Sequence, residues 1–308
     1  MRPTRRETLL LGALLPIAPA RAQTAPPAEK LPVMASFSIL ADFVREIGGE
    51  RVEAGSLIGP DADAHGFEPS PADAGRLAKA RLVVVNGLGF EGWMGRLVAA
   101  SGTKAAVVKA TTGVAAIEAE EHDHGHGHAH AHGHHDPHAF QSVANAKIYV
   151  ANIRDALIAA DPAGRAVYEA NADRYLAGLT KLDAEVRAEL GRIPKARRRV
   201  ITDHDAFAYY AKAYDLAFIA PRGVAKESDV SARDLARIVR QIRAEKIPAL
   251  FFENVADPRL VEQIARESGA KIGGKLYSDA LSKPDGPAPT YLALMRHNAR
   301  TLAAALAE

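Results

Sequence analysis

The chain has 308 residues, 48% of them hydrophobic and 25% charged, with no cysteine, so it is long enough for two packed cores and cannot rely on disulfides. Its formal charge of +2 comes from the chain start, where four arginines and one glutamate fall in the first 22 residues. The remainder carries 35 basic against 36 acidic side chains. That near-neutral body excludes a basic nucleic-acid surface, and the three arginines at 197–199 read as a solvated entry to a strand.

Residues 1–22 hold Arg2, Arg5 and Arg6, an uncharged apolar stretch over 9–20, and Ala20-Arg21-Ala22 as a small-residue cleavage site. This pattern predicts a secretory signal peptide, with Gln23 the first mature residue. The apolar stretch falls short of the ~20 residues that a membrane-spanning helix needs. Thr4-Arg5-Arg6-Glu7-Thr8-Leu9-Leu10 also fits a twin-arginine export signal, so Sec and Tat routes both stay open. Without a cysteine to carry a lipid, the expected location is the periplasm, as a soluble protein.

Apolar runs at 33–35, 52–58, 82–86 and 106–108 predict buried strands. Helical spacing in Ile39-Leu40-Phe43-Val44-Ile47 and Trp93-Leu97-Val98 puts helices between them, and Ser70-Pro71-Ala72-Asp73 has the form of a capped helix start. The second half repeats the plan. Strands are predicted at 200–201, 218–219 and 249–252, with helices over 207–214, 231–246, 258–268 and 290–306. Residues 162–190 carry apolar Val167, Leu176, Leu179, Leu182, Val186 and Leu190 mostly three or four apart, which predicts one long connecting helix. The fold class is therefore α/β with two lobes, each a mostly parallel sheet flanked by helices, joined by one long rigid helix. The divisions are a signal peptide at 1–22, a first lobe at 23–160 with a histidine-rich loop at 121–137, the connecting helix at 161–192 and a second lobe at 193–308.

Histidine usage points to a metal. Nine of the twelve histidines lie between His122 and His138, eight of them in a Gly, Ala and Asp run with no apolar period, which reads as a mobile metal collector. His65 and His204 stand alone, each in a loop after a predicted strand, and such loops form the ligand crevice of open α/β sheets. His138 follows Asp136-Pro137 and precedes a helix over 143–160. Asp279 lies in a polar loop after a short strand. Three nitrogens and one carboxylate make a closed four-coordinate site of the kind that suits zinc. Asp203, Asp205 and Glu68 are candidates for orienting the imidazoles, Glu253 for supporting them from the end of a strand, and His297 reads as structural. Of Tyr209 and Tyr210, one should pack inward and the other face the second lobe's neighbour.

These segments also resemble a known family. His65-Gly-Phe-Glu-Pro69, Asp136-Pro-His138 followed by a helix bearing Asn145, Thr202-Asp-His204-Asp-Ala-Phe207 and Tyr277-Ser-Asp279-Ala-Leu-Ser resemble the four ligand loops of the periplasmic solute-binding proteins of bacterial ABC importers for zinc and manganese. The resemblance spans nearly all of the sequence from Leu31 onward. It implies a metal held between two lobes by His65, His138, His204 and Asp279 and delivered to a membrane permease, with no catalysis. It further implies that a histidine-rich insertion marks zinc members and that manganese members often carry glutamate where His204 stands. Zn2+ is accordingly expected ahead of Mn2+, carried by a monomer, with a periplasmic zinc chaperone as a further partner. A manganese-binding member of the same family and a periplasmic zinc buffer or metallochaperone are the alternatives. A zinc hydrolase is disfavoured, because no His-Glu-x-x-His motif occurs and the fourth ligand fills the open position. Release is expected to move the loops around His65 and Asp279, the latter bounded by Gly273, Gly274, Pro284, Gly286 and Pro287.

Overall fold

The computed structural model describes residues 29–119, 135–221 and 230–307. The expected signal peptide and all but the end of the histidine-rich run lie outside them. Four parallel strands, β1 (Leu31–Ala35), β2 (Val52–Ser56), β3 (Leu82–Val85) and β4 (Ala106–Lys109), form the first sheet in the order β2-β1-β3-β4. Helices α1 (Ser38–Gly48), α2 (Pro71–Ala78) and α3 (Met94–Ser101) make its crossovers, and α4 (Val143–Ala160) follows. The second sheet, β6-β5-β7-β8, repeats that parallel order with β5 (Arg199–Ile201), β6 (Ala217–Ile219), β7 (Ala249–Glu253) and β8 (Lys271–Leu276). Its helices are α6 (Ala208–Tyr214), α7 (Ala232–Glu245), α8 (Arg259–Ser268) and α9 (Tyr291–Leu306).

Between the lobes runs α5 (Arg165–Leu190), 26 residues and so about 39 Å long. Its buried stripe is Tyr168, Ala172, Tyr175, Leu179, Leu182, Val186 and Leu190, spaced three or four apart. Val167, expected in that stripe, is 42% exposed, because the adjacent Tyr168 takes the inward position and donates its hydroxyl proton to Asp161. A second difference concerns β4, expected to be buried. It is an edge strand with Val107 44% exposed, since among the described residues it pairs with β3 alone.

Strand alternation divides the core. Val200, Ala249 and Phe251 face a continuous cluster that runs through both lobes and includes Phe43, Tyr149, Leu179, Phe207 and Leu294. Their neighbours Ile201 and Leu250 face the other way, into a small separate cluster with Ile238, Ile242, Ile247, Val261 and Ile264 under α7 and α8. Gly273 and Gly274 belong to β8 and not to a loop. A Cβ on Gly273 would meet the Phe251 ring at 2.6 Å and Ala305 at 2.9 Å, so glycine lets β8 lie directly against α9.

Candidate metal centre

Each loop that carries an expected ligand leaves the carboxyl end of a strand, and the two sheets turn those ends toward each other. The loop after β2 is closed by a capping box at α2, where Ser70 Oγ accepts from Asp73 N and Asp73 Oδ2 accepts from Ser70 N. Within it, Asp63 Oδ1 accepts from His65 N at 2.9 Å, and Trp93 Nε1 donates to Ala64 O at 3.0 Å. Beyond β4, Asn86 Nδ2 donates to Pro137 O at 2.8 Å and Asn145 Nδ2 to Ala139 O at 3.1 Å, bracketing His138. His204 follows β5 and Asp279 follows β8.

The structure brings all four expected residues together: ligand atoms of His65, His138, His204 and Asp279 lie within 4.8 Å of one another. His65 Nε2 is 3.2 Å from His138 Nε2 and 3.4 Å from Asp279 Oδ2. His204 Nε2 is 3.1 Å from the same oxygen, and His138 Nε2 is 3.5 Å from Asp279 Oδ1. The corners of a tetrahedron with bonds of ~2.05 Å stand about 3.3 Å apart, so these spacings fit donors around one small cation. The His138, His204 and Asp279 side chains are fully buried, whereas that of His65 is 7% exposed, which makes the His65 side the approach from solvent. A cavity of about 830 Å³ lies away from the centre, among Arg197, Arg243, Lys246 and Lys271.

Two further carboxylates set the rings. Asp136 Oδ1 lies 2.8 Å from both His138 N and Nδ1. Glu253 Oε2 lies 2.6 Å from His204 Nδ1, while Oε1 accepts from Asp203 N and His204 N, each at 2.8 Å. An Nδ1–H held by a carboxylate leaves the Nε2 lone pair aimed at the centre and raises its basicity. Burial opposes the charge on His204, but Glu253 and Asp279 outweigh it and push its pKa up to about 10. Burial pulls His65 below its ordinary value, against the pull of Asp279. Burial alone would raise Asp279, yet the imidazoles of His138 and His204 hold it well below the usual carboxylate range.

Of the residues expected to orient the imidazoles, Glu253 does so and Asp203 lies buried beside it. Glu68 is exposed, and Asp205 lines a separate 450 Å³ cavity. Asp136, read from sequence only as part of a motif, takes that place for His138; the Asp-Pro-His spacing, with a carboxylate two residues before the ring, was its signal. His297 Nε2 donates to Lys275 O, 2.9 Å away, apart from the centre. Tyr210 is buried against Tyr214 and Phe218, and Tyr209 reaches the first lobe.

The loop carrying Asp279 is more firmly held than its glycines and prolines suggest. Asn254 brackets the ligand, accepting from Ser278 N and donating to Ala280 O, both at 3.2 Å. From the first lobe, Gln141 Nε2 donates to Ser278 O at 2.6 Å, Ser38 Oγ accepts from Leu281 N at 3.0 Å, and Asp61 N donates to Leu281 O at 2.9 Å. Moving Asp279 breaks these bonds, while Gly59 and Gly66 in the His65 loop have open space around them.

Comparison with known proteins matches the same span. The family model of the periplasmic zinc-uptake complex component A covers residues 33–305. The iron-binding protein YfeA of Yersinia pestis is 32% identical over 277 residues, covering 90% of this chain and 86% of its own length. The manganese-binding lipoprotein MntA of Halalkalibacterium halodurans is 30% identical over 280 residues, covering 91% and 90%. The manganese-bound structure of a variant periplasmic metal-binding protein from Candidatus Liberibacter asiaticus superposes with a TM-score of 0.80 at 30% identity, covering 90% of this chain and all of that one. These matches correct the expected order of metals. Zn2+ does not stand ahead of Mn2+, because manganese-binding relatives and a manganese-bound structure share this fold over nearly its whole length.

Proposed function

The chain belongs to the periplasmic zinc-uptake component A family, the metal-binding solute receptors of ABC importers, and on that premise we propose that its cargo is manganese, held by His65, His138, His204 and Asp279. Family membership makes a membrane permease the partner and is consistent with a role without catalysis. The observation that carries the metal reading is that Asp279 turns both oxygens to the centre, Oδ1 toward His138 and Oδ2 toward His65 and His204. A carboxylate used through both oxygens raises the donor count to five, which manganese accepts and a closed tetrahedral zinc site does not require.

Charge supports capture of a dication. One carboxylate faces the ion directly and two more, Asp136 and Glu253, stand behind imidazoles, so three negative charges gather around the ion's two positive ones. Affinity alone does not rank the metals, because a nitrogen-rich site binds zinc more tightly than manganese and cargo is decided by supply. One chain provides every donor, so the protein works as a monomer in this reading. The test is the metal content of protein recovered from the periplasm of cells grown with balanced metals, together with manganese uptake in a strain lacking it. Manganese in the isolated protein and reduced manganese uptake are expected. Protein loaded with zinc alone and bound through one Asp279 oxygen, with manganese uptake intact, would overturn the assignment.

A further inference from the structure

Tyr209 lies in the first turn of α6, five residues after His204, on the second lobe. Its hydroxyl donates to Asp136 O at 2.9 Å and accepts from Ile117 N at 3.0 Å, both on the first lobe. Those two residues are where the histidine-bearing segment leaves and rejoins the fold. They also bond to each other, Asp136 N donating to Ile117 O at 2.8 Å, and Glu118 and His135 form an antiparallel bridge one step further out. One buried hydroxyl from the opposite lobe therefore closes the base of the segment on both sides. From Asp136 the contact continues inward, because its carboxylate holds His138 at N and Nδ1.

We propose that Tyr209 is a positioning residue for metal capture, gripping both ends of the histidine-bearing segment and, through Asp136, setting the ring of His138. A lateral pull on either end of the segment must stretch a bond to Tyr209 or turn the Asp136 carboxylate, and the second of these rotates the imidazole. The inference rests on His138 being a metal ligand. The ring of Tyr209 needs no change for the argument, since only its hydroxyl spans the lobes.

The test compares the full chain with Tyr209→Phe, which keeps the ring, each with and without deletion of residues 120–134. Cobalt(II) serves as the probe, read by its ligand-field absorption and by its rate of loss to a chelator. Two lost hydrogen bonds should speed cobalt loss about tenfold and shift the absorption bands, with the metal-free melting temperature nearly unchanged. Deleting the segment should alter the rate in the parent chain and have little further effect in the Tyr209→Phe chain. Identical bands and rates in the parent and Tyr209→Phe chains overturn the proposal, as does a deletion effect of equal size in both. If the parent chain itself shows no bands of a histidine and carboxylate centre, the ligand assignment fails and the inference falls with it.

Discussion

Asp42 offers a test of how the lobes are joined, because this α1 residue receives Tyr291 N at 2.8 Å and so caps the start of α9 in the other lobe. Burial raises its pKa from 3.8 to about 6, despite the opposing bonds from Tyr291 and Arg45. The sign follows from that raised value. The fold favours the protonated acid, so the contribution to stability is fully present below pH 3.8 and is lost as the pH rises through about 6. A shift of roughly two units at ~1.4 kcal/mol each sets an upper bound of about 3 kcal/mol above pH 6. The adjoining cavity of about 550 Å³, which Asp42 lines with Arg45, Glu46 and Arg174, admits water and should hold the real figure below that bound. Asp42→Asn keeps an oxygen for Tyr291 N and removes the buried charge, losing only a weak 3.5 Å pairing with the half-exposed Arg45. Urea unfolding of metal-free protein should give equal stability for both chains at pH 3.5. The variant should gain progressively up to pH 6, then hold a constant lead of one to a few kcal/mol, on the order of the bound. A lead that does not change between pH 3.5 and 7.5 would refute the reasoning, since it would mean that Asp42 ionises freely in the folded chain.

The centre makes further predictions. His204→Ala removes a donor and strands Glu253, so calorimetry should show metal affinity falling by more than the ~100-fold that losing a supporting group costs at most, while Glu253→Gln should fall within about 10- to 100-fold. Because metal-free His204 is pushed up to about 10, capture at pH 7.5 must expel its proton. Affinity should therefore keep rising with pH through 8 and 9, and titrations in two buffers of different ionisation enthalpy should report about one proton released from this ring; no release would mean that His204 is neutral before capture. Deleting residues 120–134 should remove weak metal binding and keep one tight site, read as the stoichiometry of the tight phase.

Much of this organisation is legible in local chemistry. Ser70-Pro71-Ala72-Asp73 marks its helix start because capping is settled within four residues, and α5 shows in the spacing of Leu179, Leu182, Val186 and Leu190 because that stripe repeats along one element. The four candidate ligands stand out as isolated histidines and an aspartate in loops after strands. What escapes is whatever depends on partners distant in sequence. Glu253 is 49 residues from His204, and no local pattern separates it from an ordinary strand-end acid; Asp203 and Asp205 sit closer in sequence yet do not take its place at Nδ1. The exposure of β4 follows from its position in the strand order. The turn of Asp279 escapes for another reason: a ligand list does not say how a carboxylate is oriented, and both of its oxygens face the imidazoles.

The split of the core into two clusters bears on how the molecule comes apart. Since the larger cluster threads α5 and passes through both sheets, neither lobe owns a core that it could keep alone, and heat should melt them in one cooperative transition. The seven residues of the smaller cluster form a separate patch beneath α7 and α8, to which β5 and β7 contribute Ile201 and Leu250. That layer can open as a local unit while the loops at the carboxyl ends of the strands stay assembled, so amide exchange and nicking by proteases should begin there.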